Sequence, residues 1–430
     1  MAKVCIDAFN LSLPKGSGIA TYGRNLLDAL SDLGHSAEVL YGPQGEVSKD
    51  NLLSTISLSD ITARKTGAGK FTRWWMTRTT HRGRTPTKVE VSEEIIWSTL
   101  GGGRLRASKH WASQKLFDYA LRAHRLNGRF TPVLFPDRDA PDIMHWTCPL
   151  PLHARGQANV YTFHDLIPLK LPHTTNEQKA AYLSMCREIV DRADHILTVS
   201  ETTRNDLVTM LSAPDDKITT TYQSVSIPSE ILSMPEIEAE RYVADVFDLN
   251  WKGYFLFYGA IEPKKNVNRL VEAYLSSGVR TPLVIVGGRS WLDGGEGSLI
   301  ASVIESDNDL RRGRIIKHDF LSAAMLNTLI RGARATLFPS LYEGFGLPVL
   351  ESMLLGTAVL TSTAGSLPEV AGEAALMVDP YDTDTIKAGI VKLDADTDLV
   401  NHLERSGQQQ ASKFSPAAHR QRIAEAYAKL

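Results

Sequence analysis

The feature that most constrains this chain is the stretch Pro339-Ser340-Leu341-Tyr342-Glu343-Gly344-Phe345-Gly346-Leu347-Pro348-Val349-Leu350-Glu351, where two glutamates separated by seven residues span a glycine-rich turn. Ahead of it, Ala335-Thr336-Leu337-Phe338 reads as a buried strand. Gly344 and Gly346 free the turn, and Pro348 suits the first turn of a helix that Gly356 ends. Backbone N–H groups from Gly344, Phe345, Gly346 and Leu347 therefore collect at a helix N-terminus, which attracts anions and above all phosphates. Carboxylates there need another reason. Glu343, in the turn, and Glu351, about one helical turn further on, would repel a diphosphate that they faced. They are expected to accept hydrogen bonds from sugar or ribose hydroxyls instead, and the implied ligand is a nucleotide sugar.

Strand, turn and helix recur along the chain. Val4-Cys5-Ile6 is a short buried strand, the turn that follows contains Gly16 and Gly18, and a helix places Ile19, Tyr22, Leu26, Leu30 and Leu33 on one stripe before Gly34. Ala37 to Leu40 resumes as strand, so the sheet is parallel. Asp142 to Trp146 and Asn159 to Phe163 read as two more strands, the second running into His164-Asp165-Leu166-Ile167-Pro168. Polar residues at the carboxyl end of a parallel strand stand where an open α/β sheet binds its ligand. Ala193 to Arg204 reads as strand, turn and helix N-cap. Pro228 and Pro235 then interrupt, and Tyr254 to Tyr258 opens a second series, with the turn Gly259-Ala260-Ile261-Glu262-Pro263-Lys264-Lys265-Asn266. Leu283 to Val286 leads to Gly287-Gly288-Arg289, a turn that could touch phosphate or sugar, and Ile315-Ile316 starts a strand ending near His318-Asp319-Phe320. The expected fold is α/β with two Rossmann-like doubly wound domains, residues 1–235 and 236–414, and a last helix over 415–430.

Tyr342-Glu343-Gly344-Phe345-Gly346-Leu347-Pro348, the glutamate spacing and the later Gly365-Ser366-Leu367-Pro368-Glu369-Val370-Ala371-Gly372 resemble retaining glycosyltransferases of the two-Rossmann (GT-B) architecture, in particular bacterial polysaccharide and lipopolysaccharide mannosyltransferases. The resemblance implies two domains facing a central cleft, with the last helix crossing back onto the first. It implies Lys265 on the diphosphate, Glu343 on the donor sugar hydroxyls and Glu351 on the ribose diol. His164, with Asp165 beside it, faces the donor sugar. Gly16 and Gly18 lie over the cleft near the donor phosphate, Ser200 and Arg204 lie at the cleft, and the backbone around Phe320 holds the base. Gly259, Gly287 and Arg289 complete the donor side. The family often has an arginine where this chain has Ala260, so a two-cation clamp is not expected. A hexose, with mannose from GDP-mannose foremost, is then transferred to a lipid-linked or polysaccharide acceptor. A UDP- or ADP-sugar donor, a nucleotide-sugar epimerase of the same fold, and a non-catalytic nucleotide- or glycan-binding protein remain alternatives.

Composition adds boundaries. The 430 residues suffice for two domains, and a net charge of −2 argues against a general nucleic-acid role. Cys5, Cys148 and Cys186 lie far apart without a CxxC pattern, so neither structural zinc nor disulfides are expected. Asp137-Arg138-Asp139 and Asp394-Ala395-Asp396 match Asp-x-Asp but not beside the glutamate motif, so no cofactor and no essential divalent metal are expected. No signal peptide is read at the start and no apolar run approaches a membrane span, so a cytoplasmic location is expected. Residues 64–88 break the pattern with eight cations and no acid, among them Arg73 and Arg78 interleaved with Trp74 and Trp75. Such a segment suits an anionic membrane surface, here the inner face of the cytoplasmic membrane, or an acceptor phosphate. Arg104 and Arg106 open a second basic stretch that runs to Arg129.

Overall fold

The computed structural model describes residues 1–11, 18–45, 47–48, 50–59, 82–95, 97, 104–288 and 315–430. They form two compact units. The first comprises Met1–Leu169, Asn176–Ser224 and Pro416–Leu430, and the second comprises Lys170–Thr175 and Val225–Ser415. The division falls after Ser224 rather than after residue 235. Pro228 and Pro235 cap the helices Ser229–Ser233 and Glu236–Phe247, and Arg331 of the second unit donates to the carbonyls of Ile231 at 3.2 Å and Met234 at 2.7 Å. Those prolines start elements of the second unit instead of separating the two.

In the first unit the strands are β1 (Lys3–Asp7), β2 (Ser36–Tyr41), β3 (Thr87–Val89), β4 (Lys109–Ala112), β5 (Thr131–Val133), β6 (Ile143–Trp146), β7 (Leu152–Ala154), β8 (Ala158–Phe163), β9 (His195–Thr198) and β10 (Ile218–Thr220). Among the described residues one sheet runs β10-β9-β8-β6-β1-β2-β4-β3, parallel except for β3 against β4, and β5 pairs with β7 apart from it. Ile143–Trp146 and His195–Thr198 are buried throughout, as strands covered on both faces are. The helix Gly18–Asp32 buries Tyr22, Leu26 and Leu30. Strand order reverses at β1, which lies between β2 and β6.

The second unit contains β11 (Phe255–Tyr258), β12 (Leu283–Val286), β13 (Ile315–His318), β14 (Ala335–Phe338), β15 (Ala358–Ser362) and β16 (Leu376–Val378). Its sheet runs β13-β12-β11-β14-β15-β16, all parallel. The order reverses between β11 and β14. Such a switch point opens a crevice at the carboxyl ends of its two strands, because their connections leave in opposite directions.

The helix Pro416–Tyr427 belongs to the first unit. Tyr427 bonds His145 Nδ1 at 2.5 Å, His145 Nε2 bonds Thr162 Oγ1 at 2.7 Å, and that hydroxyl lies 2.8 Å from Tyr22. A buried chain of polar groups thus ties the end of the sequence to β6, β8 and the first helix.

Candidate functional site

The turns after β11 and β14 meet at the switch point of the second sheet. Asn266, in the left-handed conformation at φ 60°, donates to the carbonyls of Pro339 at 2.9 Å and Pro380 at 2.7 Å, while Leu341 N–H donates to Lys264 O at 2.7 Å. These bonds hold the lysine turn against the glutamate turn. The Lys265 ammonium donates to Glu343 Oε1, with the two side chains 14% and 11% exposed. Burial is the largest influence on Glu343 and opposes its charge. The Lys265 ammonium, with Lys264 behind it, outweighs that and holds the carboxyl below the usual range.

Gly346 caps the helix Leu347–Leu354 at φ 102°, and Pro348 stands in its first turn. Gly365, at φ 62°, packs so closely on Glu343 that a Cβ there would lie 2.7 Å from its carbonyl oxygen, and Ser366 Oγ donates to that oxygen at 3.0 Å. The Gly365–Gly372 motif therefore braces the glutamate. Glu351 sits one turn into the helix. Burial pushes its carboxyl up to about 7, against the pull of the Tyr258 hydroxyl and the Lys265 ammonium. Tyr258 itself is anchored on Pro348 O at 2.7 Å.

Gly259, Gly344, Phe345, Leu347 and Gly287 also lie at this carboxyl edge. A Cβ on Gly287 would stand 1.9 Å from Gly259 O, so packing between two turns accounts for glycine there. Phe320, past the end of β13, is 68% exposed. The structure thus gathers Lys265, Glu343 and Glu351 at one crevice. Sequence reasoning overlooked Asn266 and Arg269, which donates to Asn266 Oδ1 at 2.8 Å and Pro380 O at 3.0 Å. Adjacency to Lys265 was the available signal.

At the switch point of the first sheet, Asp7 ends β1 fully buried. It accepts from the N–H groups of Thr147 and Phe9, and burial pushes its carboxyl up to about 6. A charged residue closing an apolar strand was the signal for it. His164 Nε2 donates to Thr147 O at 2.8 Å, and its ring stands edge-on to Tyr22 at 5.0 Å. Burial lowers the imidazole pKa, so the ring is neutral and its Nδ1 is an acceptor. Asp165 Oδ1 accepts from Ile167 N–H at 3.0 Å and so starts the short helix Ile167–Lys170. Ser200 caps the helix Glu201–Leu211, and Thr203 Oγ1 donates to His164 O at 3.1 Å. Arg204 holds Asp215 in a two-pronged pair at 3.0 and 2.8 Å, a structural contact within this unit rather than an open cation. Gly18 opens its helix on the surface.

Gly16, Arg289, Arg73, Trp74, Trp75 and Arg78 lie outside the described residues. Among the described residues no three His, Cys, Asp or Glu side chains gather to hold a metal, and no helix is long and apolar enough to cross a membrane. Asp394 accepts from Thr281 Oγ1 at 2.5 Å, and Asp396 caps a helix through Leu399 N–H at 2.9 Å.

The chain is similar to known glycosyltransferases. The profile of "Glycosyl transferases group 1" matches residues 247–410 and that of "Glycosyltransferase Family 4" matches residues 94–227. The O-antigen chain mannosyltransferase B of Escherichia coli is 34% identical over 284 residues, 65% of this chain and 72% of that protein. The serotype-specific mannosyltransferase WbdA of Escherichia coli is 29% identical over 296 residues, 64% of this chain but only 35% of the longer protein. The solved sucrose-phosphate synthase of Thermosynechococcus elongatus superposes with a TM-score of 0.67 at 17% identity, covering 100% of this chain and 98% of that one. That likeness shows the fold, which is GT-B.

Proposed function

The chain belongs to the glycosyl transferases group 1 family, and from that premise we propose that this glycosyltransferase moves mannose from GDP-mannose, with retention, onto a lipid-linked or polysaccharide glycan of the O-antigen kind. The observation that carries the reading is the Lys265–Glu343 pair beside the N-terminus of the helix Leu347–Leu354, with Glu351 one turn inside it. The difficult step is departure of a nucleoside diphosphate while the anomeric carbon becomes cationic. Lys265 and the N–H groups at Gly344 to Leu347 stabilise the charge that grows on phosphate. Glu343 holds sugar hydroxyls and Glu351 the ribose diol. The acceptor hydroxyl attacks on the face the diphosphate leaves, and its proton passes to the departing phosphate oxygen, so no separate base is required. With Lys265 supplying positive charge, no divalent metal is needed and chelation leaves turnover unchanged. The mannose part of the reading follows the two similar mannosyltransferases, and the O-antigen part follows the first of them. Residues 64–88 bring the first unit to anionic lipid where such an acceptor resides.

The test is product analysis of the full chain with GDP-mannose, UDP-glucose or ADP-glucose, each with and without a lipid-linked oligosaccharide extract. The reading expects GDP release and α-mannosylated product only with GDP-mannose and acceptor together. An altered sugar nucleotide from donor alone would mean an epimerase, and binding without turnover a non-catalytic protein.

A further inference from the structure

Among the buried polar atoms of the first unit that find no partner, two stand side by side, the Tyr41 hydroxyl and Nδ1 of His110. Their residues are 4% and 6% exposed, and their rings lie 5.8 Å apart. They come from the adjacent parallel strands β2 and β4, where Val39 pairs with His110 and Tyr41 with Ala112, so both side chains stand on one face of the sheet. On the opposite face the polar demand is met, since Trp111 Nε1 donates to Glu38 at 2.7 Å. Buried polar groups are almost always bonded, so two orphans side by side ask for a missing partner.

The charge around them says which. Arg24, from the helix Gly18–Asp32, and Arg104, from the segment entering β4, both favour negative charge at the Tyr41 hydroxyl, and Arg104 disfavours a proton on His110. Burial weighs on the Arg24 guanidinium itself, which marks it as partly withdrawn from water. Two carboxylates also act there: Glu93 lies 4.0 Å from Arg104, and Asp28 shares the field of Arg24 and Arg106. Both sit on the solvent side, with Asp28 exposed and Glu93 92% exposed, and neither bonds the two orphans. A cation would be repelled by the guanidiniums, whereas an oxyanion accepts from a phenol, an imidazole N–H and guanidinium forks together.

We propose that Tyr41, His110, Arg24 and Arg104 form a phosphate-binding subsite of the first unit, which takes the phosphate or diphosphate of a phosphorylated acceptor. This absorbs part of the second basic stretch, and only the word acceptor rests on the proposed transferase reading. The test is calorimetric titration of inorganic pyrophosphate into the full chain carrying Lys265→Ala, which disables the donor-side cation. Binding should survive that change. It should weaken at least tenfold on adding Arg24→Gln or Arg104→Gln, and severalfold on adding Tyr41→Phe, with the melting temperature of Arg104→Gln unchanged. Loss of all binding in Lys265→Ala, or an unchanged affinity in both arginine variants, would overturn the subsite whether or not any nucleotide sugar is turned over. Should Arg24→Gln fail to fold, the more exposed Arg104→Gln decides. Farnesyl diphosphate and glucose 1-phosphate as further ligands distinguish a lipid diphosphate from a soluble sugar phosphate, and tighter binding of either through these four residues supports the subsite.

Discussion

Lys265 and Glu343 come from turns separated by 78 residues of sequence, yet the ammonium of one donates to the carboxylate of the other in a setting that leaves both mostly buried. The pair is satisfied without ligand. On the proposed reading, a diphosphate arriving there would share the ammonium and free carboxylate lone pairs toward the sugar.

Lys265→Ala should therefore lower turnover on the order of a hundredfold or more. It should also destabilise, by up to about 3 kcal/mol, because Glu343 is left as a buried unpaired charge. Adding Glu343→Gln to that variant should recover melting temperature but not activity. Steady-state kinetics beside a melting curve decides; near-normal turnover in Lys265→Ala removes the lysine from the chemistry.

If Glu351 accepts from ribose hydroxyls as a carboxylate, donor affinity should rise as pH increases through about 7 and level off above it, since burial lifts its carboxyl to about 7. Stability runs the other way. The native carboxyl keeps a proton that the unfolded chain, near 4.5, releases, so the contribution present below 4.5 is lost as pH rises through 7. Glu351→Gln should flatten both profiles, and an unchanged affinity profile in that variant would count against the assignment.

Buried histidines in the first unit give the acid-side counterpart. Burial depresses His145 to about 3 and His110 and His419 to about 4, from an ordinary 6.5. Their contribution is present above 6.5 and is lost as pH falls toward 4, because only the unfolded chain takes up those protons. Tyr427→Phe, which removes the bond to His145, should cost about 1 kcal/mol and loosen the last helix. Hydrogen exchange over residues 416–427 at pH 7 and pH 5 tests this, with equal protection in both proteins as the contrary result.

Much of this was legible in the sequence because the relevant elements are local. Short apolar runs gave β1, β6, β8, β11, β12 and β14 close to their observed bounds, and Ser200 reads as an N-cap from its neighbours alone. What escaped depends on contacts far apart in the chain. Asn266 matters because it reaches Pro339 and Pro380, and Asp7 because it meets Thr147; neither partner is suggested by spacing. The ownership of the helices after Pro228 and Pro235 was not legible because a proline that interrupts one helix also starts the next, and contacts such as those of Arg331 tie them to the second unit.

Residues 64–88 should bind anionic but not neutral vesicles, with binding reduced at high salt and again in a Trp74→Ala, Trp75→Ala double variant. Co-sedimentation checks it. Equal pelleting with neutral vesicles, or none at all, would end the membrane role and leave the basic segment as an acceptor groove or plain surface.

The division of labour between the two glutamates is the heart of the account, and calorimetric titration of GDP and GDP-mannose into the native chain, Glu343→Ala and Glu351→Ala tests it most directly. Glu351→Ala should weaken both ligands by about tenfold or more, whereas Glu343→Ala should spare GDP and weaken only GDP-mannose. Equal losses for both ligands in both variants, or GDP binding untouched by Glu351→Ala, would contradict it.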